Sequence, residues 1–243
     1  RLVHRQRRNL MANWRQKVVD WDAENANWGG EKELQRAIFD AKQNIKNLNL
    51  YGSGGNILDL GSNVGEFAIN ASKQFDNVFC YEAHPLSYKV SLERTVDIKN
   101  IEIFNNPVWD TCGKNLFIST PENSTGVTVR DRKFYPNRKE NYYVNKSSVS
   151  FSSLLEKHKP RVVKVDIEGS EYSILPSIKF NENLQFISIE FHQPFKSPGR
   201  CSNFDRIIEN LHSQDFFELK KYEKERKHNV MHFILTFKKQ GVE

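Results

Sequence analysis

The first residues that could do chemistry lie in a glycine turn that follows a short apolar run. Residues 57–60 are apolar except for Asp59, and Gly61 and Gly65 follow with three residues between them. A run of this kind predicts a buried parallel strand, and glycines let the backbone come close to a ligand because no Cβ intervenes. The sequence therefore predicts a strand, a ligand-binding turn and a helix, in that order.

An acidic residue lies at a distance from this turn that suits ribose binding. Glu82 ends the next apolar run and comes 21 residues after Gly61. A carboxylate about 20 residues beyond a glycine turn can accept hydrogen bonds from ribose hydroxyls when it ends the second strand of a nucleotide-binding unit. A purely structural turn is the alternative, and the joint occurrence of turn and acid disfavours it.

The composition of the turn restricts the classes of ligand that it could bind. Its spacing is Gly-x-x-x-Gly rather than the Gly-x-Gly-x-x-Gly of dinucleotide sites, and the Gly-Lys-Ser/Thr of a P-loop is absent from the chain. The turn contains no Lys or Arg, and Asp59 precedes it. Such a turn suits a ligand with an amino group and a positive sulfur better than a phosphate, which indicates S-adenosylmethionine.

Acid, amide or imidazole side chains also follow the other apolar runs of the chain. They are Asn105 and Asn106, then Asp166 and Glu168, then Glu190 and His192. Ligands of an open parallel sheet bind beyond the carboxyl ends of its strands, and unpaired buried charge is costly. This concentration of polar groups at one rim predicts a catalytic site.

A regular alternation of strands and helices would position these residues. The predicted strands are 57–60, 78–82, 101–104, 161–165 and 186–191, and the predicted helices are 31–50, 65–75, 86–97, 152–159, 170–178 and 203–213. This alternation favours a parallel sheet with helices on both faces. Residues 114–119 and 142–151 could pair as a hairpin, and residues 216–222 and 231–238 as a closing antiparallel pair.

Composition bounds the class of protein. The 243 residues suffice for one large α/β domain, 38% of them are hydrophobic, and the net charge is +6. No apolar run approaches the roughly 18 residues of a membrane span, and the N-terminal region is too polar for a signal peptide. The three widely spaced cysteines imply no disulfide framework, so we expect a cytoplasmic protein.

We divide the chain into an N-terminal helical extension, residues 1–50, and a catalytic domain, residues 51–243. Residues 1–17 contain six basic residues and no acidic one. Residues 120–141 are a predicted substrate-facing insertion, because residues 130–139 interleave basic and aromatic side chains that could hold phosphates and stack on bases or sugars. An ordinary charged loop and a solvated basic helix are the alternatives for these two segments.

The chain resembles FkbM-type S-adenosylmethionine-dependent methyltransferases. The resemblance is carried by the motifs Leu58-Asp59-Leu60-Gly61-Ser62-Asn63-Val64-Gly65, Tyr81-Glu82-Ala83-His84-Pro85, Asn105-Asn106-Pro107-Val108 and Lys164-Val165-Asp166-Ile167-Glu168-Gly169-Ser170-Glu171. It covers about residues 55–195. It implies a Rossmann-like α/β fold with a seven-stranded sheet, mostly parallel with a terminal antiparallel strand, and helices on both faces. It also implies methyl transfer to oxygen.

The resemblance implies roles for individual residues. Asp59 and the turn beginning at Gly61 would hold the amino-acid part of the cofactor, and Glu82 would bind the ribose. Asn106 and Val108 would lie near the adenine. The implied cofactor-binding residues are Asp59, Gly61, Ser62, Asn63, Gly65, Phe67, Glu82, Ala83, Asn106, Val108 and Asp166.

The candidates for a general base are Asp166, Glu168 and His192. The resemblance places the two acids near the reacting methyl group, and a neutral imidazole readily accepts a proton near pH 7. Asp166, Glu190 and His192 could instead bind a divalent ion. Their spacing is not diagnostic of a metal site, so we expect catalysis without a metal.

We therefore expect an O-methyltransferase that acts on a hydroxyl of a sugar, a glycan or a small metabolite. An RNA 2′-O-methyltransferase is the first alternative, which the two basic segments favour, with Asp166, Lys46 and Lys196 as candidates for its lysine–aspartate–lysine–glutamate set. A catalytically inactive fold that only binds a partner is the second alternative, which the intact glycine turn and Glu82 disfavour. The sequence does not indicate an oligomeric state.

Overall fold

The central element of the fold is a seven-stranded sheet. The computed structural model describes residues 30–120, 128–130, 142–192, 198–226 and 230–242. Its strands are β1 Asn56–Leu60, β2 Asn77–Tyr81, β3 Ile101–Phe104, β4 Val108–Trp109, β5 Asn115–Thr120, β6 Thr128–Arg130, β7 Tyr142–Ser147, β8 Val149–Ser150, β9 Val162–Val165, β10 Phe186–His192, β11 Phe216–Arg226 and β12 Val230–Lys239. Its helices are α1 Gly30–Asn47, α2 Glu66–Ala71, α3 Pro85–Arg94, α4 Phe151–His158, α5 Glu171–Ile174 and α6 Pro198–His212, with 3₁₀ turns at Leu48–Leu50 and Leu175–Ser177.

The strand order of the sheet is β11-β12-β10-β9-β1-β2-β3. The pairs from β10 across to β3 are parallel, whereas β12 runs antiparallel to both of its neighbours, β10 and β11. The carboxyl ends of β1, β2, β9 and β10 therefore meet at one edge of the sheet. The predicted fold class, including its terminal antiparallel strand, is confirmed.

Helices cover both faces of the sheet, as the alternation predicted. Leu58 and Leu60 of β1 pack in a core with residues of α4, α5 and α6, whereas Ile57 packs in a second core with residues of α2 and the segment before β1. All four residues of β9 are buried. The continuous apolar character of these strands follows from their being covered on both faces.

Two small sheets lie beside the central one. β5 pairs antiparallel with β7, which confirms the predicted pairing of residues 114–119 with the first part of 142–151, but the two strands are not a simple hairpin because β6 lies between them in the chain and pairs with the other edge of β5. The predicted strand 142–151 is too long, because Val149–Ser150 pairs in parallel with Val108–Trp109 instead. β6 is a strand inside the segment predicted as an insertion loop. Residues 121–127 and 131–141, like the basic segment 1–17 and Lys196, lie outside the described residues.

The helices predicted over 31–50 and 86–97 end three residues earlier in the structure, at Asn47 and Arg94, and two others end four residues earlier. The helix predicted over 65–75 ends at Ala71 and continues as turns that lead into β2. The helix predicted over 170–178 ends at Ile174 and becomes a 3₁₀ turn that contains Pro176. Proline has no N–H to donate to the preceding turn of a helix, which explains the last of these differences.

Candidate active site

The glycine turn brings β1 into close contact with the end of β9. Gly61 has φ +79°, and a Cβ added to it would lie 1.8 Å from the carbonyl oxygen of Asp166. Gly65 has φ +78°, and a Cβ there would lie 2.5 Å from the hydroxyl oxygen of Ser91 in α3. Side chains rarely adopt this backbone region, so both positions require glycine on two independent grounds.

Glu82 is held in one orientation at the end of β2. One carboxylate oxygen accepts a hydrogen bond from the backbone N–H of Asn63, and the other from that of His84, each at 2.7 Å. Burial raises the pKa of Glu82 to about 7, although both hydrogen bonds act in the opposite direction. A carboxylate has about four acceptor sites, so Glu82 retains acceptor capacity for a ligand.

A first cavity, which is open to solvent, runs along the ends of β1, β2 and β9. Many of the sequence-predicted residues line it, namely Gly61, Asn63, Glu82, Ala83, Asn106, Val108, Asp166 and Glu168. Val129 of β6 also lines it, and sequence analysis did not single out this residue. The ribose-binding candidate and the adenine-binding candidates therefore share one cavity.

A second cavity, which is also open to solvent, lies between the glycine turn, the end of β9 and α1. Ser62 and Phe67, both predicted cofactor residues, line it together with Lys164 and Glu190. The α1 residues that line it, at helical spacing, are Ala37, Asp40, Ala41 and Asn44. Gly61, Asn63, Asp166 and Glu168 line both cavities, so these four residues mark the junction between them.

Asp59 lies behind the turn and lines neither of these two cavities. Its side chain is fully buried, and its carboxylate pairs with the ammonium group of Lys164 at 3.1 Å. That ammonium group also donates a hydrogen bond to the carbonyl oxygen of Gly61 at 2.8 Å and lies 3.4 Å from Asp166. Asp59 is therefore connected to the cavities indirectly, because Lys164 contacts both Asp59 and Asp166. Gly65 also lines neither cavity.

Lys164 is a site residue to which sequence analysis gave no role. Burial alone would lower its pKa, but the neighbouring carboxylates of Asp59 and Asp166 outweigh that effect and raise it. Burial likewise raises the pKa of Asp59, and Lys164 counteracts this rise. The signal was a single lysine between Val163 and Val165 in an otherwise apolar strand, since a buried lysine needs an acidic partner.

His192, at the end of β10, lies among carboxylates. Its Nε2 atom is 3.3 Å from Glu168, 3.7 Å from Asp166 and 3.8 Å from Glu190. Burial alone would lower the pKa of His192, but Glu168 and Glu171 together raise it well above its usual value. Burial, followed by the charge of Glu190, raises the pKa of Asp166 to about 7. The three predicted catalytic residues are thus brought together.

Glu171, to which the sequence analysis assigned no role, contacts this cluster through His192. It is fully buried, and its carboxylate accepts hydrogen bonds from the backbone N–H of Gly169 at 2.7 Å and of His192 at 2.9 Å. The same carboxylate lies 3.3 Å from Nδ1 of His192. Glu171 therefore fixes the imidazole with its Nε2 toward Asp166 and Glu168. Its place at the start of a helix in the Asp166 motif was the available signal.

The fold and the glycine turn together define a class of protein, the S-adenosylmethionine-dependent methyltransferases. A sequence model of the family described as "Methyltransferase FkbM domain" matches residues 38–218. The chain belongs to this family. No curated protein matches the chain in a sequence search.

Several solved structures are similar to the chain at low sequence identity. Trm5b from Pyrococcus abyssi is 12% identical with a TM-score of 0.50, and the match covers 82% of this chain but 48% of Trm5b, so the chain spans about half the length of that protein. An rRNA methylase from Streptococcus thermophilus is 10% identical with a TM-score of 0.48, covering 81% of this chain and 94% of that one. Fibrillarin from Aeropyrum pernix, solved with bound S-adenosylmethionine, is 10% identical with a TM-score of 0.45, covering 77% and 67%. The likeness to Trm5b concerns the fold alone.

The described residues fit S-adenosylmethionine. Glu82 has acceptor capacity at the wall of the first cavity, and the turn approaches both cavities closely because Gly61 has no side chain. Ser62 is buried at the second cavity, and its hydroxyl has no hydrogen-bond partner among the described residues.

No helix in the described part of the chain is long and apolar enough to cross a membrane.

Proposed function

We propose that the chain transfers a methyl group from S-adenosylmethionine to a hydroxyl oxygen of a neutral acceptor, namely a sugar, a glycan or a small metabolite. The observation that carries this proposal is the position of Asp166 and Glu168, which line both cavities. A cofactor in the first cavity and an acceptor in the second would meet at these two carboxylates, close to His192.

In this proposal the first cavity takes the adenosine part of the cofactor. Glu82 accepts hydrogen bonds from the ribose hydroxyls, because its two backbone donors already fix its orientation. Asn106 and Val108 line the same cavity and flank the adenine. The turn from Gly61 to Gly65 holds the amino-acid part, and Asp59 acts on it through Lys164.

The second cavity suits an acceptor without negative charge. Four carboxylates besides that of Glu168 line it, from Asp40, Glu66, Asp166 and Glu190. Lys164 is the cation among its lining residues, and it is already paired with Asp59 and Asp166. Carboxylates and the amide of Asn44 accept hydrogen bonds from hydroxyl groups, whereas they repel phosphates.

The chain's residues orient the acceptor and accept its proton. S-adenosylmethionine, when bound, supplies an electrophilic methyl group on a positively charged sulfur. Asp166 and Glu168 accept the hydrogen bond of the acceptor hydroxyl and direct its oxygen toward that methyl group. As its oxygen accepts the methyl group, the acceptor hydroxyl would release its proton to the carboxylate cluster of Asp166 and Glu168, and the electron pair of the broken carbon–sulfur bond would remain with the cofactor's sulfur. Such positioning can supply roughly 7–11 kcal/mol.

A screen of methyl transfer from labelled S-adenosylmethionine to glycans, small phenols and RNA tests this proposal. We expect label in a neutral hydroxylated acceptor, and loss of transfer with retained cofactor binding in Glu168→Gln. Glu82→Ala should abolish cofactor binding, whereas Glu102→Ala, which removes a carboxylate on the exposed side of β3, should leave it intact. Unaltered cofactor affinity in Glu82→Ala would refute the ribose placement.

A second candidate function is RNA 2′-O-methylation. It is favoured by β6, because Val129 lines the first cavity and the basic and aromatic residues 130–139 follow directly. Lys46, a candidate for its lysine set, lines a separate cavity with Lys73 and Gln74 that shares no residue with the other two. Label in RNA, with binding that falls steeply with salt, would favour this function over the first.

A further inference from the structure

We propose that Asp166, Glu168 and His192 bind a divalent cation, with Mn²⁺ as the best fit, at the junction of the two cavities. The role we give this cation, to hold the acceptor hydroxyl, rests on the proposed function. The binding of the cation itself does not, because it depends only on these three side chains.

The geometry of the three side chains is that of a metal-binding set. One ligand atom from each lies within 4.8 Å of the other two. Nε2 of His192 is 3.3 Å from Oε2 of Glu168 and 3.7 Å from Oδ1 of Asp166. Metal–ligand bonds of 2.0–2.2 Å at angles of about 90–115° place neighbouring ligand atoms about 2.8–3.7 Å apart. The two separations from Nε2 of His192 lie inside that range.

The histidine is oriented as metal-binding histidines are. Glu171, which is not one of the three ligands, lies 3.3 Å from Nδ1 of His192 and accepts a hydrogen bond from its backbone N–H. A carboxylate on the far nitrogen of a metal-binding histidine fixes its ring and increases its basicity. The Nε2 atom consequently faces Asp166 and Glu168 rather than the protein core.

A buried hydroxyl at the same cavity is an independent observation. Ser62 lines the second cavity together with Asp166 and Glu168, and its side chain is only 4% exposed in the folded chain. Its hydroxyl has no hydrogen-bond partner among the described residues. A buried polar group without a partner is costly, and water bound to a cation would provide the missing partner.

Charge also favours a cation at this place. In the described part of the chain, Lys164 pairs with Asp59 and Asp166, and His192 lies 3.3–3.8 Å from Asp166, Glu168, Glu171 and Glu190. These five carboxylates outnumber the two cationic side chains of the cluster, and carboxylates that are withdrawn from water are stabilised by pairing or by a metal. Two carboxylates and one imidazole suit a cation that accepts both oxygen and nitrogen ligands, and such a cation would lower the pKa of a hydroxyl bound to it.

Binding of Mn²⁺ to the metal-free full chain tests the proposal without cofactor or acceptor. Electron paramagnetic resonance, which detects free Mn²⁺, should show one ion bound per chain. Asp166→Asn and Glu168→Gln should each weaken binding by at least about tenfold, and Glu171→Gln by about 10- to 100-fold, as expected for loss of a residue that supports a ligand. Asp40→Asn, which removes a carboxylate at the same cavity but outside the cluster, should leave Mn²⁺ binding unchanged.

Absence of a bound ion, or equal affinity in the chain and in both Asp166→Asn and Glu168→Gln, would overturn the proposal. The side chain of Glu168 is 34% exposed, so Glu168→Gln should fold. If another variant fails to fold, Mn²⁺ binding by Glu168→Gln alone tests the proposal. Cofactor affinity is measured separately on the same samples. Normal cofactor binding without Mn²⁺ binding overturns only the metal site, and the reverse result overturns only the proposed function.

Discussion

Lys164 connects the parts of the site through a single buried ammonium group. It contacts the carboxylate of Asp59, the carbonyl of Gly61 and the carboxylate of Asp166. The strand before the turn, the turn itself and the end of the neighbouring strand are therefore held by one side chain. Breaking a buried ion pair by removing one partner is costly, because the other charge stays buried without compensation.

We expect Lys164→Met to lower the free energy of unfolding by about 3–5 kcal/mol, because Asp59 is fully buried. Urea-induced unfolding measures this change. The double variant Asp59→Asn/Lys164→Met should regain much of the loss, since it removes both charges. A loss below about 1 kcal/mol in the single variant, the value of an exposed pair, would contradict the structural role of this ion pair.

Cofactor affinity should depend on pH through Glu82. Its pKa of about 7 means that it is ionised above pH 7 and protonated below, and the ionised form is the better acceptor for ribose hydroxyls. At pH 6 only about one tenth of Glu82 is ionised, so affinity should be about tenfold weaker than at pH 8. Calorimetric titration at pH 6, 7 and 8 measures this. Glu82→Gln, which has no charge to lose, should show a flatter dependence, and identical dependences would refute the assignment.

For single residues, the sequence predicts which side chains lie close together when their positions after apolar runs are sufficient evidence. Glu82, Asp166 and Glu168 follow apolar runs, and parallel strands place such residues together. Lys164 and Glu171 are different, because their roles depend on which strands are neighbours. The partner of Lys164 is Asp59 only because β9 pairs with β1, with Asp59 opposite Lys164 in the register.

The glycine turn can be tested as an element by comparing two glycines. Gly61 and Gly113 both have positive φ, but a Cβ at Gly113 would meet nothing within 4 Å. We expect Gly113→Ala to cost about 1–2 kcal/mol from backbone strain alone. Gly61→Ala should cost more and abolish cofactor binding, because its Cβ would displace the end of β9. Equal unfolding free energies in the two variants would show that the close approach to Asp166 is unimportant.

Helix α1 is an element whose existence the sequence predicts but whose location it does not. Helical spacing over residues 31–50 predicts the helix, and our division of the chain assigns it to an N-terminal extension outside the catalytic domain. In the structure α1 lines the second cavity through Ala37, Asp40, Ala41 and Asn44, and the family match begins within it at residue 38. We propose that α1 forms part of the acceptor site. Periodicity identifies a buried helix face but not the surface it covers.

At the scale of the whole molecule, cofactor binding should stabilise the fold. A ligand at one hundred times its dissociation constant adds about 2.7 kcal/mol to stability. For a chain of this size that corresponds to a rise in melting temperature of about 5–10 °C. Thermal unfolding with and without S-adenosylmethionine measures the rise, and Glu82→Ala should show none at the same concentration. Equal shifts in both proteins would mean that the cofactor binds elsewhere.

The position of β12 has a consequence for the order in which the chain can fold during synthesis. β12 lies between β10 and β11, and β11 joins the sheet only through it. The ribosome synthesises β10 and β11 before β12. The edge of β10 that pairs with β12 therefore stays exposed until Val230–Lys239 has been made. Exposed strand edges pair readily with other chains. The hairpin of β11 and β12, whose described residues line neither cavity, thus determines how long the nascent protein is exposed to aggregation.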